Sequence, residues 1–172
     1  MAEPLLEARG LHKTYRRGAE RVHALRAVDL VLYQGELVAL VGPSGSGKSS
    51  LLGMLAGWEP PDAGELAWGR ETVAPPWSGL ATVPQALGLL DELTVRENVA
   101  LPVRLGLGRR HGARVGRTEE LLGLLGLAEL ADRSPSETSL GQQQRAAVAR
   151  ALVLAPQLVL AEEPSAHQDA AW

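Results

Sequence analysis

Three groups of residues in this chain have the types and spacing to do chemistry. The first is GPSGSGKSS, Gly42 to Ser50, which fits the pattern G-x-x-x-x-G-K-[ST]. Glycines there let the main chain curl so that successive N–H groups point inward at phosphate oxygens. The start of the following helix adds partial positive charge. Gly42, Ser44, Gly45, Ser46, Gly47 and Ser50 are thus candidate phosphate-cradling residues. In such a loop Lys48 reaches the β- and γ-phosphates and the Ser49 hydroxyl coordinates Mg²⁺. The second group is Glu162–Glu163, two carboxylates side by side after a short apolar run. Like charges so placed repel unless a cation or solvent keeps them ionised. The third is Ser139 with Gly141 and Gln142, ahead of a helical stretch. A helix start presenting Ser and Gly can clamp an anion, and Ser139 is equally a good helix-capping residue.

These groups need elements to hold them. A chain of 172 residues, 45% hydrophobic and 22% charged, is enough for one globular domain with a substantial core. The net charge of −3 gives no reason to expect nucleic acid or an anionic membrane as a direct partner. The absence of cysteine excludes disulfides and thiolate metal sites. No secretory signal and no apolar run of about 18 residues occurs, so a soluble cytoplasmic domain is the expectation. Residues 3–35 alternate in short stretches broken by Gly18 and Gly35, which predicts antiparallel strands and turns. ELVALV, residues 36–41, is a continuous apolar run and predicts a buried strand leading into the glycine-rich loop. SSLLGMLAG predicts a helix stopped at Gly57, and ELAW a short strand. From about Gln85 to Asp132 the pattern is helical, GQQQRAAVARALVLA is a further helix ended by Pro156, and QLVLA is a second buried strand. That alternation is α/β.

PSETSLGQQQRAAVARAL resembles the segment that marks the ATP-binding subunits of ABC transporters, where L-S-G-G-Q precedes a helix and Q-Q-R. Aligned on Gln142, Gln143, Gln144 and Arg145, the signature positions are Thr138, Ser139, Leu140, Gly141 and Gln142. The resemblance runs along the chain. Tyr15 matches the aromatic that stacks on adenine, although a half-buried strand aromatic is the alternative. Gln85 in TVPQALGLL matches the glutamine that touches Mg²⁺ and the attacking water. LTVRENVALPVRL is similar to the start of the helical subdomain in exporters of the lipoprotein-release and macrolide type. LVLAEEP matches the strand whose first carboxylate, here Glu162, supports Mg²⁺ and whose second, here Glu163, polarises water. Asp169 falls at the aspartate of the following loop.

The resemblance implies a P-loop NTPase core with a small antiparallel β subdomain and an inserted helical subdomain. It divides one ATP-binding domain over 1–172 into about 1–84, 85–141 and 142–172, with the C-terminal part absent. It implies ATP and Mg²⁺ as cofactors and Glu163 and Gln85 as catalytic. Ser49, Gln85 and Glu162 then hold the metal. Ser139, Gly141 and Gln142 act in trans on a second ATP-binding subunit, in a homodimer or pseudo-dimer. A transmembrane permease partner would hold the chain at the inner face of the plasma membrane. Three departures weaken turnover: Leu140 replaces a glycine, Glu162 stands where aspartate is usual, and the chain ends before the family's switch histidine. His167 lies before that position and is not its replacement. The alternatives are a binding-only regulatory subunit, or a soluble P-loop kinase. SLGQQQR argues against the kinase. A translation-type ABC protein usually carries two such cassettes, and this chain has one.

Overall fold

The computed structural model describes residues 3–69, 79–107 and 116–163; Asp169 and His167 lie outside these. The chain divides into two compact units, 1–75 and 76–172.

In the first unit, β1 (Leu6–Arg17) and β2 (Glu20–Leu32) form an antiparallel hairpin, and β3 (Ala63–Trp68) pairs with the other edge of β1. The buried residues of β1 change parity along the strand, from Leu6 and Ala8 to Leu11 and Lys13. Register shifts between Ala8 and Leu11 absorb the change. Gly10, with φ of 54°, sits in that irregularity, so an extra residue keeps one face apolar. The helix α1 (Lys48–Leu55) buries Leu51, Met54 and Leu55. It ends as predicted at Gly57: with φ of 73°, Gly57 donates to the Met54 carbonyl and Trp58 to that of Gly53. That pair of bonds satisfies carbonyls left open by the last turn.

The expected strand over residues 36–41 does not form. No described strand pairs with it, and Leu37 and Val41 are 100% and 90% exposed. An extended run becomes a strand only when its N–H and C=O groups find a neighbour's, and apolar composition alone supplies none.

In the second unit, β4 (Leu80–Val83) and β5 (Leu158–Ala161) pair in parallel, Leu80 opposite Leu158 through Val83 opposite Ala161. Between them come α2 (Val95–Arg104), α3 (Arg117–Leu124), two short 3₁₀ turns and α4 (Leu140–Leu152). α4 is the shared wall of two cores. Its Ala146 and Ala149 pack with Val95, Val99, Leu122 and Leu127, while Ala147 and Ala151 pack with Val83 and Val159. Small residues on both faces let helices on one side and strands on the other approach closely. β4 was not expected from the sequence; four residues ahead of a proline are a weak strand signal without the parallel partner.

Candidate functional site

Each candidate group is built inside its own unit. In the first, the loop before α1 turns at Pro43, whose carbonyl accepts from Ser46 N–H at 3.2 Å. Gly45 and Gly47 have φ of 79° and 92°, a region L side chains rarely adopt. Gly47 has a second constraint: a Cβ there would lie 2.3 Å from the Ala24 carbonyl oxygen of β2. A Cβ on Gly42 would meet Ser46 Oγ at 2.8 Å. Lys48 and Ser49 open α1, whose N-cap is Gly47 and provides no side-chain cap. No side chain therefore caps the first-turn N–H groups, which together with the helix dipole suit an anion. The Lys48 ammonium donates to the carbonyls of Gly42 and Pro43 at 2.8 and 2.9 Å.

Tyr15 lies half-buried on β1. Its hydroxyl donates to Glu59 Oε1 at 2.5 Å. Burial first, and the Glu59 carboxylate second, push the phenol above its usual pKa. Lys13 lies 5.8 Å from the ring centroid, donates to the Pro60 carbonyl and pairs with Glu59 at 3.2 Å. The aromatic is thus tied to the 59–62 turn.

In the second unit the parallel register does the positioning. Val83 stands opposite Ala161, so Gln85 and Glu163, each two residues beyond, emerge at the same level. Gln85 Nε2 donates to Glu163 Oε2 at 3.3 Å. Glu162 N–H donates to the Val83 carbonyl, carrying the ladder one step past β5. Glu163 then turns into the left-handed region, with φ of 47°. Gln144 of α4 donates to the Glu163 carbonyl at 2.8 Å. Sequence reasoning used Gln144 only to align the motif. The signal that could have found it is its place on the stripe 144, 147, 151, a polar side chain where its neighbours are buried alanines.

The Ser139 segment makes a reciprocal cap on α4: Ser139 Oγ accepts from Gln142 N–H and Gln142 Oε1 from Ser139 N–H. Gly141 falls in the first turn of α4. At the helix's other end Arg150, whose burial lowers its pKa, donates to the Leu87 and Gly88 carbonyls at 2.6 Å each. Two residues after Gln85 the chain is therefore pinned to α4. Among the described residues no cluster of three His, Asp or Glu could hold a metal by itself. Ser49 in the first unit, and Gln85 and Glu162 in the second, each carry a hard oxygen donor of the kind Mg²⁺ takes.

A family model described as ABC transporter matches residues 25–166. The chain is 43% identical, over 98% of its length, to the macrolide export ATP-binding/permease protein MacB 1 of Aeromonas hydrophila, of which it spans 27%. It is also 43% identical over 99% of its length to the lipoprotein-releasing system ATP-binding protein LolD 2 of Caulobacter vibrioides, of which it spans 78%. Among solved structures, the dimeric post-hydrolysis state of the ATP-binding cassette MJ0796 bound to ADP and Pi matches with a TM-score of 0.83 at 33% identity. That match covers 96% of this chain and 76% of the other.

Proposed function

The chain belongs to the ABC transporter family, and on that premise we propose that it is an ATP-binding subunit coupling ATP binding and hydrolysis to transport by a membrane permease. The observation that carries this reading is the loop of residues 42–50. It combines an ammonium, an uncapped helix start and a glycine at 47 where a Cβ would strike the Ala24 carbonyl. Those features suit a polyphosphate better than a neutral ligand. No helix among the described residues is long and apolar enough to cross a membrane, so the permease would be a separate segment or chain.

In this reading Gly42 to Ser50 hold the phosphates and Tyr15 offers its ring to adenine. Ser49, Glu162 and Gln85 would hold Mg²⁺, which supplies positive charge against the phosphates when bound. Glu163 orients the attacking water, and its bond from Gln85 directs one carboxylate oxygen. Positioning and electrostatics of this kind account for most of phosphoryl-transfer catalysis. Ser139, Gly141 and Gln142 would act on the nucleotide of a second ATP-binding subunit, with Asp169 at the same contact; the dimeric state of the MJ0796 cassette supports that pairing. The domain would be single, with 85–141 as its helical part, peripheral on the inner membrane face through the permease.

A second reading is favoured by Glu162 and Leu140: a subunit that binds nucleotide and turns it over slowly. A carboxylate one methylene too long displaces its oxygens by roughly 1.5 Å, and about 1 Å can cost 10²-fold in rate. Calorimetry with ATP and Mg²⁺ on the parent and Lys48→Ala tests binding; equal affinity overturns the site assignment. Phosphate release from the parent then separates the two readings.

A further inference from the structure

Gln144 is 2% exposed in the middle of α4, on the stripe with Ala147 and Ala151 that faces the parallel strands. Its Nε2 donates to the main-chain carbonyl of Glu163 at 2.8 Å, while its Oε1, also buried, has no hydrogen-bond partner among the described residues. A leucine or methionine would fill this volume with no polar atom to leave unsatisfied. A buried amide satisfied on one side only is a destabilising choice for packing alone. What it contributes is a single bond, and that bond lands on an unusual residue.

Glu163 has φ of 47°, a conformation disfavoured for any residue with a Cβ and retained only where surroundings over-determine it. The constraint comes from both sides. Ahead of Glu163, the Glu162 N–H is fixed by the Val83 carbonyl; beyond its Cα, its own carbonyl is fixed by Gln144. Relaxing to an ordinary φ would swing the Cα–Cβ bond and carry the carboxylate off Gln85, which holds it at 3.3 Å. We propose that Gln144 is a positioning residue for ATP hydrolysis, its side-chain amide locking the left-handed turn of Glu163 and so aiming the carboxylate that orients water. This rests on the reading of Glu163 given above. It adds that α4, through its middle as well as through its Ser139 end, governs the reaction.

Gln144→Met keeps length and volume and removes the amide. Displacing the carboxylate by about 1 Å predicts a fall in kcat of about 10- to 100-fold. The KM for ATP and the calorimetric affinity should stay within about twofold, and the melting temperature should not fall, because the unpaired Oε1 goes with the donor. Introduced into Glu163→Gln, the same change should leave the residual single-turnover rate unaltered. Hydrogen exchange gives a readout independent of turnover: the amides around 162–163 should lose protection in Gln144→Met while those of α4 keep theirs. Parent-like kcat, an equal loss in the Glu163→Gln background, or unchanged exchange at 162–163 would each overturn the proposal. If Glu163→Gln hydrolyses as fast as the parent, the role of Glu163 falls, and this inference with it. If Glu163→Gln abolishes turnover while Gln144→Met is parent-like, only the role of Gln144 falls.

Discussion

Gly47→Ala against Gly45→Ala isolates a single steric contact in the loop proposed to hold phosphate. Both glycines have positive φ, 92° and 79°, so each alanine carries the left-handed penalty of about 1–2 kcal/mol. Around Gly45 a Cβ meets nothing within 4 Å. At Gly47 it would sit 2.3 Å from the Ala24 carbonyl oxygen and 3.0 Å from Leu25 Cδ2. Leu25 is buried in the sheet, and the carbonyl is main chain of β2, so neither can turn aside as an exposed side chain would. Relief requires moving the loop off β2 by about 1 Å, and overpacking of that kind costs about 1–3 kcal/mol. The totals are about 2–5 kcal/mol for Gly47→Ala and about 1–2 kcal/mol for Gly45→Ala. For a unit of this size they correspond to melting points lower by roughly 10–30 °C and 5–15 °C. Circular dichroism melts, with urea midpoints as a check, measure both. If the two variants melt together, the close approach of Gly47 to β2 is not what fixes the loop, and the steric reasoning is refuted.

Glu162→Asp shortens the reach of the first carboxylate and should raise steady-state phosphate release; a tenfold gain equals about 1.4 kcal/mol of transition-state stabilisation. Tyr15→Phe keeps the ring and removes the hydroxyl bond to Glu59, so stability should fall by about 1–2 kcal/mol while ATP affinity by calorimetry holds. Tyr15→Ala should cost affinity on the order of 1 kcal/mol through the lost ring. Thr94→Ala breaks the reciprocal cap of α2, where Thr94 Oγ1 accepts from Glu97 N–H, and should cost about 1 kcal/mol in urea titration at pH 7. The Thr94 N–H bond and then Arg104 hold the Glu97 carboxyl below its usual pKa. Its contribution is therefore full above the unfolded value and disappears as pH falls through the lower folded one, so the parent loses α2 stability in acid and Glu97→Gln does not.

Periodicity and turn chemistry made part of this molecule legible. The hairpin, α1 with its stop at Gly57, α4 and β5 each announce themselves through local residues, and local bonds build all of these but β5, whose ladder runs to β4. β4 did not, because its four residues become a strand only through a partner 78 positions away. The run at 36–41 shows the converse: strong apolar composition, no described partner and no strand. Site residues divide in the same way. Lys48 and Ser49 are readable from a motif whose geometry is local. The meeting of Gln85 with Glu163 depends on parallel register, and the bond from Gln144 on helix packing, neither of which spacing along the chain encodes. Tyr15 could be read as an aromatic facing a ligand, but its tie to Glu59 spans 44 residues and is tertiary.

The Lys48 ammonium on the Gly42 and Pro43 carbonyls changes what nucleotide capture means for this loop. The lysine acts as a tethered counter-ion, cross-linking the turn to the helix that follows. A phosphate arriving there competes with two carbonyl oxygens for one cation, so its binding is an exchange of partners. The net gain is smaller than a bare ammonium would give. In return the loop's curvature is held by its own charge, and less ordering remains to be done on contact. Selectivity follows from the same competition: a singly charged anion offers little over two carbonyls, whereas a polyphosphate brings enough charge to draw the lysine away. On the proposed reading, the residue that would bind the ligand also sets the threshold for binding.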